Sequence, residues 1–332
     1  MQVIRVQRIP SSLNHLMLNK SNKILVVGSV AYDSVETHAG KRVDALGGSA
    51  SYFAIAASYF ATPTVVAVVG EDFDRTHIEF FESRNVDLSG LQIKSGATFR
   101  WVGKYDPNNL NYRETIDTQL NVFAEFKPKL DTEHKSIDVF FLANIQPDLQ
   151  MEVLKQAGAK PKIVALDSMN LWIENNQDDL LKLIPKIDIL FLDETELRQL
   201  TGIKNLIEAS RSIIDLGPRV VVIKKGEHGL LMNSIDAENS FSLFACPALP
   251  VDPVIDPTGA GDSFAGGFMG HLASIGKNIS ELSSEDLRKA AVYGTIMGSF
   301  TVQGFSIEKL KLVSVDQIEN RYNEFVKLTT IS

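Results

Sequence analysis

Six short apolar runs rich in β-branched residues recur along the chain, and none alternates apolar with polar. They are Lys23–Val30 (KILVVGSV), Thr64–Val69 (TVVAVV), Ile137–Leu142 (IDVFFL), Ile163–Leu166, Ile187–Leu192 (IDILFL) and Arg219–Lys224 (RVVVIK). A strand wetted on one face alternates, so continuous apolar runs belong to strands covered on both faces, as in a parallel sheet. Helical spacing fills the gaps. Phe53, Ala57 and Phe60 share one face, and Leu149, Val153 and Ala157 share another. Glu194–Leu200 runs to Gly202, a natural stop, and further helices are expected over Leu206–Leu216, Asp262–Ile275, Glu285–Phe300 and Val315–Val326. Strand–helix alternation predicts an α/β fold with a doubly wound, mostly parallel sheet and helices on both faces.

One stretch breaks the alternation. Thr98–Phe123 carries strand-forming Phe99, Trp101, Val102 and Tyr105, a turn at Asp106–Asn109, and strand-like residues beyond. It reads as a hairpin added to the main sheet. With a second polar insert over about residues 35–46, it is expected to form a small β lid. The exposed edges of such strands pair readily, which predicts a homodimer through the lid.

Composition narrows the partners. Acidic side chains outnumber basic ones 41 to 33, a net charge of −8 that opposes general nucleic-acid binding. No apolar run is long enough to span a membrane. One cysteine, Cys246, excludes an intramolecular disulfide and fits a reducing, cytoplasmic compartment. Residues 1–20 lack Asp and Glu but carry Arg5, Arg8, Ser11 and Ser12. They read as a poorly ordered tail or as translation begun upstream of Met17, with organelle targeting as the alternative. Residues 21–332 form the expected folded domain.

The strongest chemical signal is Asp256–Phe264, DPTGAGDSF. Pro257 and Gly259 are expected to stop a strand at Val254–Ile255. Gly259, Ala260 and Gly261 let the backbone turn tightly toward a ligand. Asp262 and Ser263 then open a helix with Phe264, Phe268 and Leu272 on one face. Free N–H groups at a helix start make an anion site, where an added carboxylate is repelled. General-base chemistry supplies a reason for Asp262: it takes the proton from a hydroxyl attacking a phosphate.

This string resembles the C-terminal signature of the ribokinase-like (PfkB) carbohydrate kinase family, and the resemblance runs in order over roughly Lys23 to Phe305. It implies phosphoryl transfer from ATP to a substrate hydroxyl. Asp262 is then the catalytic base, and the backbone of Gly259, Ala260 and Gly261 the anion hole. Gly28–Asp33 (GSVAYD) resembles the end of the family's first strand and points to Asp33 as a ligand of substrate hydroxyls, which a carboxylate accepts well. Gly47–Gly48 resembles the paired glycines that contact substrate. Two family asparagines are replaced here, by Ala31 and Tyr52, and Tyr52 is expected to stack on a substrate ring or to fill space. Asp193–Glu196 (DETE) resembles an Asn-x-x-Glu motif, so Glu196 is implied to orient waters on Mg²⁺, with Asp193 beside it. Lys224–Gly229 (KKGEHG) resembles the nucleotide loop. Gly226 and Gly229 admit the nucleotide, and Lys224 replaces the usual threonine as a point charge for phosphate oxygens. Tyr293–Gly304 fits the wall of the adenine site.

Other motifs fail on their spacing. Gly270–Asn278 has one residue too many between its glycines for a phosphate-binding loop and ends in Asn278 where a hydroxyl is needed. No G-x-G-x-x-G follows the first strand, and the histidines are scattered. The sequence therefore predicts an ATP- and Mg²⁺-dependent kinase acting on a sugar or sugar-like polyol. A nucleoside kinase of the same family is the first alternative, and a catalytically silent sugar or nucleotide sensor the second.

Overall fold

The computed structural model describes residues 22–330. The tail of residues 1–20, with its targeting alternative, lies outside the described residues. Among these the strands are β1 (Lys23–Val27), β2 (Ala31–Thr37), β3 (Gly40–Gly47), β4 (Thr62–Gly70), β5 (Asp87–Lys94), β6 (Arg100–Asp106), β7 (Asn109–Gln119), β8 (Val139–Leu142), β9 (Ile163–Asp167), β10 (Ile189–Asp193), β11 (Val220–Lys224), β12 (Leu230–Ile235) and β13 (Phe241–Cys246). The α-helices are α1 (Ser49–Ala57), α2 (Arg75–Ser83), α3 (Pro147–Gln156), α4 (Asn170–Asn175), α5 (Gln177–Leu183), α6 (Glu194–Thr201), α7 (Leu206–Ile214), α8 (Ala260–Ile275), α9 (Ser284–Thr301) and α10 (Val315–Thr329).

The main sheet has the order β13-β12-β11-β10-β9-β8-β1-β4-β5. All six apolar runs are neighbours in its parallel part. Strand β1 shows why they lack alternation. Ile24 and Val26 enter one apolar cluster with residues of α1, α8 and α9, while Leu25 and Val27 enter another with residues of α3, α5, α6 and α7. Both faces are covered, as the sequence pattern requires. Strands β12 and β13 close one edge antiparallel.

The inserts form a separate sheet of order β3-β2-β6-β7, in which two antiparallel hairpins meet through the parallel pair β2 and β6. The β6–β7 hairpin is thus not an addition to the main sheet. Its polar residues would find no partner in a two-sided apolar core, whereas a second sheet leaves β7 wet along most of its length. The sheet is tied down at its base. The Thr98 N–H and hydroxyl donate to Asp72 Oδ1 (2.7 and 2.6 Å), and Arg100 pairs with Asp72 (2.9 Å).

Two local expectations also fail. Phe60 lies in the turn after α1 rather than on the helix, although it remains buried. Val254–Ile255 is loop, not strand. The Ile255 N–H donates to Val302 O at the end of α9 (2.7 Å), and its carbonyl accepts from Thr37 Oγ1 (2.8 Å), so this backbone is committed elsewhere. Among the described residues, no helix is long and apolar enough to cross a membrane.

Candidate active site

The DPTGAGD segment is a loop feeding α8. Asp256 is buried, and its Oδ1 accepts the Thr258 N–H (2.9 Å), which bends the chain into the turn. Gly259 caps α8 with φ 74°, a left-handed conformation that glycine adopts without strain. A Cβ there would also overlap the ring of Tyr52, which packs directly beneath the turn. Helix α8 starts at Ala260, two residues before the expected Asp262. The Ala260 N–H donates to Pro257 O (3.2 Å), while the Gly261 N–H has no partner among the described residues. An unfilled donor at a helix start is where an anion binds.

Asp262 stands in this first turn. Burial pushes its carboxyl up to about 7, and Asp167 adds to the rise, while Lys224 and Arg113 oppose it. A base of that pKa is half ionised at neutral pH, where proton transfer is most effective. Lys224, at the end of β11, donates to both carboxylate oxygens of buried Asp167 (2.9 Å each). Its Nζ also lies 3.5 Å from where a Cβ on Gly261 would stand, so the ammonium faces the turn that opens α8. Burial opposes its charge, but Asp167, Glu196 and Asp262 outweigh that and hold it protonated.

Asp33 stands on β2 of the small sheet, not at the end of the first strand. Its Oδ2 accepts the Gly48 N–H (3.4 Å), and Gly47 leaves room for it: a Cβ at 47 would overlap the carboxylate. Burial raises Asp33 to about 7, and the Gly48 N–H partly offsets the rise. The Tyr52 hydroxyl is buried and has no hydrogen-bond partner among the described residues. Asp33, Asp256 and Asp262 all act on it. Asp33, Gly47, Gly48, Tyr52 and the turn at Gly259–Asp262 thus lie close together.

Asp193 and Glu196 cap the N-terminus of α6 as a capping box. Asp193 Oδ1 accepts the N–H groups of Thr195 and Glu196 (2.7 Å each), and Glu196 Oε2 accepts the Asp193 N–H (2.7 Å). Each carboxylate keeps a second oxygen outside the box. Burial raises Glu196 to about 7, with Lys224 pulling the other way. Next to Lys224 opens a cleft of about 860 Å³, within the ordinary range for a small-molecule site. Its lining includes Gly226, Gly229, Leu249, Val251, Gly298 and Val302, and it reaches Gly261, one residue from Asp262. The β6–β7 hairpin tip leans over this cleft, where Asn111 Nδ2 donates to Glu227 Oε1 (3.2 Å). Gly270, of the rejected phosphate-loop motif, packs against Ala57 and Phe60 in the α1–α8 core.

Residues 21–308 match the pfkB family of carbohydrate kinases. The chain belongs to that family. A cytidine kinase of Thermococcus kodakarensis is 29% identical over 276 residues, spanning 80% of this chain and 94% of that protein. A probable fructokinase-2 of Arabidopsis thaliana is 26% identical over 313 residues, covering 85% of this chain and 91% of that protein. The crystal structure of a Methanocaldococcus jannaschii nucleoside kinase superposes with a TM-score of 0.72 at 19% identity, covering 92% and 99%. This pfkB kinase is therefore a sugar or nucleoside kinase.

Sequence reasoning missed two charged residues of the site. Asp167 ends β9 with no motif of its own, and only the lysine opposite marks it. Arg113 lies on β7 opposite Tyr105, and its charge reaches both Asp33 and Asp262. A lone arginine in a polar hairpin carries no signal until the register is known.

Proposed function

We propose that this kinase transfers the γ-phosphoryl group of ATP to a hydroxyl of a nucleoside. The observation that carries the reaction is the placing of Asp262 in the first turn of α8, beside an unfilled backbone donor and within reach of the Lys224 charge. Asp262 takes the proton of the attacking hydroxyl, and the turn at Gly259, Ala260 and Gly261 receives the transferring group. Asp33, Gly47 and Gly48 hold the acceptor, and Tyr52 fills the space beneath the Gly259 turn that backs this site. Lys224, Gly226 and Gly229 hold the donor phosphates, with the adenine between the Leu249–Val254 loop and α9.

The acidic pair suits a hydrated Mg²⁺. Among the described residues, no cluster of three or more His, Cys, Asp or Glu is disposed to hold a metal directly. Asp193 and Glu196 each keep one oxygen for a metal-bound water, as a cation carried mainly by phosphates requires. Mg²⁺ supplies charge neutralisation on those phosphates.

The small sheet acts as a lid, with the Asn111–Glu227 bond closing it over the donor cleft and excluding water. Its exposed Val43, Tyr112 and Ile116 support pairing of two copies through this sheet. Light scattering is expected to give twice the chain mass; a monomer at working concentration removes this part of the proposal. Buried, unpaired Cys246 fits the cytoplasm.

The nucleoside over the sugar rests on the T. kodakarensis cytidine kinase, matched over 94% of its length, and on the aromatic residues of the small sheet. ADP release with Mg-ATP across sugars, polyols and nucleosides is the test. Turnover is expected with nucleosides. Turnover with sugars alone rejects the nucleoside reading, and binding of either class without phosphorylated product would make the protein a sensor.

A further inference from the structure

The inner face of the small sheet carries a flat aromatic surface beside the acceptor site. Trp101 on β6 is the register partner of Asp33 on β2, so both side chains leave the same face. Two contacts fix the indole. Gly103, two residues on, has no side chain: a Cβ there would overlap the six-membered ring of Trp101, which therefore lies along the strand rather than standing off it. The indole N–H, its only donor, is bound to Thr115 Oγ1 on β7 (3.2 Å). Trp101 is only half-buried and belongs to neither apolar core cluster.

Arg113 stands over the ring, its guanidinium carbon 5.8 Å from the ring centre. That is the outer limit of a cation–π contact, about 6 Å. Further along the same face, Tyr105 is anchored by the Thr258 hydroxyl, which donates to it (3.2 Å), next to the Gly259 turn. The face thus runs from Asp33, past Trp101, to that turn.

We infer that Trp101 is the platform on which the base of the acceptor nucleoside stacks, with Arg113 donating to an acceptor atom on the base edge. The inference rests on the nucleoside reading above. An aromatic plane suits any base, because every base has a π face. A guanidinium only donates, so it favours bases with a carbonyl edge, such as cytosine, uracil or hypoxanthine, over adenine. With its N–H committed to Thr115, the indole offers stacking alone.

The test uses the full-length enzyme with Mg-ATP and cytidine, uridine, inosine or ribose. Trp101→Leu is expected to raise the nucleoside KM roughly 5- to 100-fold, the range measured for base–aromatic stacking. The loss falls on KM far more than on kcat, and Trp101→Phe restores most of it. Gly103→Val, which evicts the ring without removing it, is expected to behave like Trp101→Leu. Nucleoside binding should quench tryptophan fluorescence, and the quench should vanish in Trp101→Phe, where Trp172 is the remaining tryptophan. An unchanged nucleoside KM in Trp101→Leu overturns the inference. So does an equal loss in kcat and melting temperature that phenylalanine does not restore, which would mark a structural residue. Failure of the nucleoside reading shows separately, as turnover of sugars alone by the unaltered enzyme.

Discussion

Asp262→Asn is expected to lower kcat by roughly 10²–10⁴ while the fold survives, the usual worth of a positioned general base. The change keeps size and shape and removes one charge. The pH dependence identifies the group. Asp262 must be ionised to accept a proton, and burial holds its carboxyl at about 7, so kcat/KM of the unaltered enzyme should fall as pH drops through 7. Asp33, also raised to about 7, steepens that limb if it binds acceptor hydroxyls as a carboxylate. The residual activity of the asparagine variant should lose the Asp262 part of the limb. Stability moves the other way. A carboxyl whose folded pKa lies above its unfolded value binds more protons in the folded state, so it costs stability as pH rises from about 4 to 7. Asp262→Asn should therefore melt higher than the unaltered enzyme at pH 8 and alike near pH 4. Near-normal turnover in this variant would remove Asp262 from its role, and an unshifted pH limb would assign the titration to another group.

The parts of this protein that were legible in sequence are those whose cause is local. Continuous apolar runs forecast the parallel strands because each run must be dry on both faces wherever it pairs. The tight turn into α8 was legible because its glycines, its aspartate and its helix start are contiguous. The small sheet was only half legible. Its hairpins follow from turn residues, but the parallel pairing of β2 with β6 joins segments about 68 residues apart and leaves no local trace (Asp33 against Trp101). That pairing moves Asp33 off the main sheet and sets Trp101 beside it. Glu196 illustrates a different limit. The family resemblance implies only a metal-water role for it, whereas the structure shows it capping α6 with one oxygen outside the cap. Asp167 was invisible for a third reason: a carboxylate at a strand end says nothing until the cation that it meets is placed.

That cation gives the second large effect. Lys224→Met should lower stability by about 3–5 kcal/mol, because removing one partner of a buried ion pair leaves the other charge stranded. At roughly 2.1 cal/mol/K of unfolding entropy per residue, a chain of 332 residues then melts about 4–7 °C lower. The loss should depend on pH. Asp167 is buried, and burial already raises its carboxyl; without Lys224 it rises further and takes up a proton. A folded-state pKa above the unfolded one makes stability fall as pH rises, so the deficit is small at pH 5 and full at pH 8. Activity should fall by roughly 10²–10³, the cost of deleting a preorganised group that meets developing charge. Asp262 and Glu196 also lose the cation that lowers them, so the acidic limb of the pH profile should move above 7. The double variant Lys224→Met with Asp167→Leu separates the two roles. Replacing both partners with apolar groups should restore the melting temperature, since a buried pair is weak evidence of net stabilisation. It should not restore turnover, because the ammonium that faces the Gly261 turn is still missing. If the double variant recovers kcat along with stability, Lys224 serves the fold alone and the donor phosphates are held by the backbone of the two loops.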